Sequence, residues 1–125
     1  MNEESLGKVY QDRELVIRQG EVGDCMYVIK SGQEEIFREE GGREVRLRVA
    51  GANEFFGEMA IVDHDVRSAS VRAIGRATIL TVDKRTFLRR VHEDPSLAYR
   101  IMEAMSHRIR QLAGELARLK TRHPF

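Results

Sequence analysis

The apolar pattern changes period at Asp83, and no single kind of secondary structure satisfies both halves of the chain. Before that point, short runs rich in β-branched and aromatic residues are closed by glycine turns. Leu15-Val16-Ile17-Arg18 stops at Gly20, Met26 to Lys30 stops at Ser31-Gly32, and Gln33 to Arg38 stops at Gly41-Gly42. Val45 to Val49 alternates apolar with basic residues before Gly51; Ser70 to Ala73 and Ala77 to Val82 complete the set. Strands at this spacing predict an antiparallel sandwich or barrel, with Gly41-Gly42 as a hairpin turn. Beyond Asp83 the signals are helical. Asp83 caps a short helix over 84–93, and Pro95 opens a longer one over 95–120, leaving 121–125 as a frayed end. The reading is one domain over 1–125: a β unit at 1–83, a hinge helix and a long C-terminal helix.

The long helix carries the clearest periodicity. Ala98, Met102, Met105, Ile109, Leu112, Leu116 and Leu119 follow one another in steps of four and three, the a/d seam of a coiled coil. In that register Glu115 falls at g and Lys120 at the following e, placed for an ion pair between two chains. The seam predicts a parallel homodimer; the alternative is a stripe packed against the chain's own sheet.

A chain of 125 residues is long enough to bury roughly two-thirds of its unfolded surface without staples. Its 42% hydrophobic and 33% charged residues are those of a soluble globular domain. The net charge of +1 implies no whole-molecule attraction to nucleic acid. Cys25 has no partner for an internal disulfide, which fits a reducing compartment. No apolar run reaches the roughly 20 residues that span a bilayer, and Met1-Asn2-Glu3-Glu4 lacks the basic flank of a secretory signal. The expectation is a cytoplasmic protein without membrane contact.

Chemistry concentrates between Phe56 and Ala73. Gly57 lets the backbone approach a ligand closely, and Glu58-Met59-Ala60 can open a helical turn whose N–H groups face a phosphate. Glu58 is an acceptor suited to a pair of hydroxyls. Arg67 offers a fixed fork of donors for phosphate oxygens, with the Ser68 hydroxyl beside it. Such a set suits a ligand with sugar hydroxyls at one end and a phosphate at the other. This arrangement closely resembles the phosphate-binding cassette of cyclic-nucleotide-binding domains, as in the catabolite activator family, protein kinase A regulatory subunits and gated channels. The similarity runs from about Gly7 to Leu119 and includes Arg18-Gln19-Gly20-Glu21, Gly23-Asp24, Met26-Tyr27-Val28-Ile29 and Ser31-Gly32.

The resemblance implies an eight-stranded double-stranded β-helix (jelly roll) with a C-terminal hinge helix and a lid or dimer helix. It implies that Gly57, Glu58 and Met59 form the cassette turn, with Glu58 accepting the ribose 2′-hydroxyl. Arg67 pairs with the cyclic phosphate, Ser68 assists, Leu47 lines the pocket, and Arg108 reaches back from the long helix. The implied ligand is cAMP, with cGMP second; no cofactor beyond that ligand and no metal is expected. Leu112 and Ala113 stand where the catabolite activator has two hydroxyl side chains that touch adenine, and Asp12-Arg13-Glu14 lacks the usual central glycine. The helix-turn-helix of the transcriptional regulators has no counterpart in this sequence, so no direct DNA binding is expected.

Two rival readings come from other classes. One is an orphan interaction domain that keeps the fold and dimer helix but binds no nucleotide. The other is a metalloenzyme on a cupin-like roll. His64, His92, His107 and His123 show no ligand spacing on one strand, which counts against the second. No nucleophile with a base partner is evident either, so the chain reads as a receptor rather than an enzyme. His64-Asp65 reads as a solvent-facing loop tip.

Overall fold

The computed structural model describes residues 7–63 and 66–122. Six strands, β1 (Lys8–Tyr10), β2 (Leu15–Ile17), β3 (Cys25–Glu40), β4 (Arg43–Ala50), β5 (Phe55–Phe56) and β6 (Ser70–Asp83), form one antiparallel sheet system. A short helix α1 (Met59–Asp63) follows β5, and α2 (Lys84–Glu93) and α3 (Ser96–Arg122) follow β6. The chain divides between Thr86 and Phe87 into two compact units.

Two pairs of strands expected as separate are continuous. Met26–Lys30 and Gln33–Arg38 join in β3, and Ser70–Ala73 and Ala77–Val82 join in β6. The join in β3 is a bend, because the pairing of β3 with β6 slips between Ile29 and Ser31 and again between Ser31 and Gln33. Gly32 permits it: φ is +90°, and a Cβ there would stand 2.6 Å from the Arg76 carbonyl oxygen. Each long strand therefore serves twice. Tyr27 and Val28 pair with β5 and Tyr27–Ile29 with the end of β6, whose Ala77–Ile79 also pair with β1. Glu34–Glu40 pair with β4 and Gln33–Phe37 with the start of β6, which also takes β2. Counted by segment, the six strands supply the eight of a jelly roll.

One apolar cluster fills the space between these layers: Tyr10, Ile17, Ile29, Ala50, Phe56, Val71, Ala73, Ala77 and Ile79. One charged residue enters it. Strand alternation sends Glu34 inward, in a row between Ala50 and Ala73, while Glu35 turns outward. Glu34 is 0% exposed, and neither carboxylate oxygen has a hydrogen-bond partner among the described residues. Burial pushes its pKa up to about 7. Glu35 instead accepts from Arg46 at 2.5 Å and Arg72 at 2.6 Å, and the Arg46 bond leads in holding its carboxyl below the usual range. Arg72 continues to Glu44 at 3.0 Å and lies 4.0 Å over the Phe37 ring.

The helix starts follow from local chemistry. The Asp83 carboxylate accepts from the Thr86 amide at 2.7 Å, capping α2. Asp94 accepts from the Ser96 hydroxyl at 2.6 Å and the Ser96 amide at 3.2 Å, with Pro95 in the first turn. These bonds to Ser96 hold the Asp94 carboxyl below its usual range. α3 continues through Thr121 and Arg122, expected as frayed; the Thr121 hydroxyl donates to the Ala117 carbonyl at 2.9 Å. On α3 the positions Met102, Ile109, Leu112, Leu116 and Leu119 are exposed. No described helix is long and apolar enough to cross a membrane.

Candidate functional site

Gly57 marks the point where β5 gives way to α1. Its φ of +78° is the left-handed turn that the sequence requires of a glycine, and α1 starts at once, with Ala60 N–H donating to the Gly57 carbonyl at 3.2 Å and Ile61 N–H to that of Glu58 at 3.1 Å. Glu58 sits half-buried in this turn; Met59 opens the helix and is 62% exposed.

Arg67 reaches the same turn from the far side of the loop. Its guanidinium donates to the Gly57 carbonyl at 3.0 Å and the Cys25 carbonyl at 2.8 Å, and lies 5.8 Å from the centroid of the Tyr27 ring. Tyr27 is itself stacked on Phe56 at 5.2 Å, so the cation rests on an aromatic pair that belongs to two paired strands. Burial, followed by its bond with Cys25, pushes the Tyr27 phenol up, which keeps that ring neutral. The Arg67 backbone is fixed too: its N–H donates to the Glu21 carbonyl at 2.7 Å, and its carbonyl accepts from Gly20 N–H at 2.9 Å.

Gly23 explains how the guanidinium fits. Its backbone is not in the left-handed region, so no turn demands a glycine there. A Cβ at residue 23 would stand 2.1 Å from the Arg67 Nε, and one at Gly57 would stand 2.7 Å from a terminal nitrogen. Two glycines thus leave a slot that the guanidinium fills. An arginine with five N–H donors, oriented by two carbonyls, keeps donors for an incoming anion. The structure brings Gly57, Glu58, Met59, Arg67 and the exposed Ser68 to one end of the β unit.

Leu47 lies on β4 where the register with β3 slips: Ile36 pairs with Arg48 and Phe37 with Arg46, leaving Leu47 bulged and 54% exposed. Arg108 belongs to the helical unit, half-buried on α3. His64, Asp65 and His123 lie outside the described residues. Among those described, no three histidine, cysteine or acidic side chains gather as a metal site. Sequence reasoning missed Gly23, Tyr27 and the Cys25 carbonyl as the supports of Arg67. The only available signal was a glycine at 23, and its purpose depends on a side chain 44 positions away.

Comparison with known proteins bears on this geometry. Residues 7–94 match the family described as Cyclic nucleotide-binding domain. The Cyclic AMP receptor protein of Thermus thermophilus is 30% identical over 110 residues, 87% of this chain and 51% of that protein. A cAMP-dependent protein kinase regulatory subunit of Schizosaccharomyces pombe is 40% identical over 81 residues, 65% of this chain and 19% of the other. The crystal structure of the Thermus thermophilus catabolite activator protein superposes with a TM-score of 0.82 at 30% identity, covering 90% of this chain and 54% of that one. The chain thus spans about half, or less, of the length of these relatives.

Proposed function

The chain belongs to the cyclic nucleotide-binding domain family, and from that membership we propose that it is a cytoplasmic cyclic-nucleotide sensor, with cAMP ahead of cGMP as its ligand. One observation carries the reading: Arg67, seated between Gly23 and Gly57 and held on two backbone carbonyls, is set beside the Glu58 turn. A guanidinium already oriented loses little freedom when it takes a cyclic phosphate. Ser68 adds a hydroxyl to the same anion, and Glu58 accepts from the ribose 2′-hydroxyl. Leu47, bulged from β4, covers the base. The relatives support cAMP, since two of them are named for it.

This set binds a phosphodiester without supplying a nucleophile to cut it, so the chain acts as a receptor. The output passes to α2 and α3, whose position ligand shifts, with Arg108 as the long helix's contact to the nucleotide. The exposed stripe from Met102 to Leu119 is the face of a parallel homodimer.

Calorimetric titration of the chain with cAMP and cGMP tests the reading. Saturable binding is expected, and Arg67→Ala should weaken it by about 30- to several thousand-fold, the cost of leaving a buried phosphate unpaired. Gly23→Ala, which pushes on the same guanidinium, should weaken it less while leaving the melting temperature nearly unchanged. An absence of heat with either nucleotide, with no rise in melting temperature at millimolar ligand, would assign the chain to the orphan interaction class.

A further inference from the structure

We infer that Glu34 and Arg48 are the halves of a switchable ion pair inside the roll: Arg48 holds Glu54 while the Glu34 carboxyl keeps its proton, and crosses to Glu34 when that proton leaves. Among the described residues, the buried side-chain atoms without a hydrogen-bond partner are both Glu34 oxygens and the Nη2 nitrogen of Arg48. They belong to groups of opposite charge on paired strands. Glu34 stands opposite Ala50, and Arg48, two positions before Ala50, stands opposite Ile36, which packs against the core. Strand alternation puts Glu34 and Arg48 on one inward face as diagonal neighbours, about 7–8 Å apart, a span that a long side chain crosses. Arg48 uses only part of its fork at present: Nη1 donates to Glu54 Oε1 at 2.9 Å. Both side chains of that pair are partly exposed, and such pairs are weak.

The surroundings of Glu34 offer no other answer to its charge. From β1 comes the Tyr10 phenol, itself pushed up by burial, then by Glu14 and Glu34. From β6, Ala73 stands opposite, and the neighbouring Arg72 turns out to Glu35 and Glu44. From β2 and β5 the core receives Ile17 and Phe56, which are apolar. Burial pushes the Glu34 pKa up to about 7, because an unpaired carboxylate in such a core is costly. A guanidinium that leaves a weak, half-wet partner for this one lowers that cost. The exchange also reaches the loop before the Gly57 turn. Glu54 closes that loop: its Oε2 accepts from Gly51 N–H at 2.6 Å, and its carbonyl accepts from Ile29 N–H at 2.9 Å. Losing Arg48 removes the cation that neutralises Glu54, so a proton in the core is felt where β5 begins.

The test needs no nucleotide and so is independent of the sensor reading. Crystal structures of the chain at about pH 5 and about pH 8.5, either side of the Glu34 titration, should show Arg48 on Glu54 in the first and on Glu34 in the second. Carbon NMR of the side-chain carboxyls follows the same event in solution. The Glu54 signal should step at the Glu34 midpoint, and Glu34→Gln should abolish that step. Arg48→Gln should raise the Glu34 midpoint by about one pH unit, since the cation that favours its charged form is gone, and Arg48→Lys should restore most of the difference. Glu54→Gln, which takes away the present partner of Arg48, should lower the midpoint; it decides the matter if Arg48→Gln fails to fold in a thermal melt. Arg48 bound to Glu54 at both pH values, or a Glu54 signal that passes the Glu34 midpoint unchanged, overturns the switch.

Discussion

In the β unit Ile29 and Ile79 have at most 1% of their surface exposed, whereas on α3 Ile109 and Leu112 are 65% and 58% exposed. The same kind of side chain serves opposite purposes in the two units. The roll closes its apolar residues inside a shared core of paired strands, which gives it a reason to fold by itself. The long helix instead presents apolar residues at heptad spacing to solvent, the surface on which the proposed homodimer rests. The difference teaches that the two units use apolar residues differently: the roll closes them into a core, and the helix leaves them open to solvent.

The largest test of this contrast pairs two isoleucines. Ile29→Ala should destabilise the chain by about 2–5 kcal/mol in denaturant titration, the range for truncating a buried aliphatic residue. Ile109→Ala should leave a dilute chain within about 0.5 kcal/mol, yet weaken the rise of melting temperature with protein concentration that a dimer produces. Comparable losses from the two variants would break the distinction between the units.

A second test exploits the charge inside the roll. Glu34 goes from an ordinary 4.5 to about 7, so the folded chain keeps a proton there that the unfolded chain releases. Stability from this group is fully present below pH 4.5 and falls as pH rises to about 7, by about 3 kcal/mol in all. Its neighbour Glu35 has the opposite sign: its lowered pKa contributes stability above the ordinary value that is lost as pH falls. Glu34→Leu should remove the alkaline side of this profile and raise the urea midpoint at pH 8. An unchanged profile would show that Glu34 gains no protection from burial.

The smallest expected effect concerns a turn. Arg13 has φ +69°, its N–H donates to the Ala73 carbonyl at 2.8 Å, and the Asp12 carboxylate accepts from Gly75 N–H at 2.7 Å. Arg13→Gly relieves a left-handed conformation that costs a side-chain-bearing residue about 1–2 kcal/mol, but frees the unfolded chain. A net gain below about 1 kcal/mol should appear in thermal melts, and a loss would mean that the arginine side chain has a role of its own.

Much of this molecule was legible before any fold was known. The change of period at Asp83, the cap it provides, the hairpin at Gly41-Gly42, and the glycine and acid at 57 and 58 are local signals. Each depends on backbone preference or on spacing within a few residues. The meeting of Arg67 with the Gly57 turn depends on a separation of only ten positions, short enough to be read along the chain. What escaped was long-range. The sequence marks stops at Ser31-Gly32 and after Ala73, and pairing with β6 and β3 turns both into bends within continuous strands. Asn53 takes φ +73° between Gly51 and Glu54, a conformation its composition permits without announcing.

By itself, then, the sequence determined the kinds of element, their order, the hairpin at Gly41-Gly42 and the family to which the chain belongs. These follow from interactions between near neighbours along the chain. Tertiary structure decided which of two adjacent glutamates is buried alone and which is paired. It also decided that Arg67 rests on a carbonyl 42 positions away, in a slot made by Gly23. Those outcomes depend on strand register and on which backbones approach one another, and only the closed roll sets both.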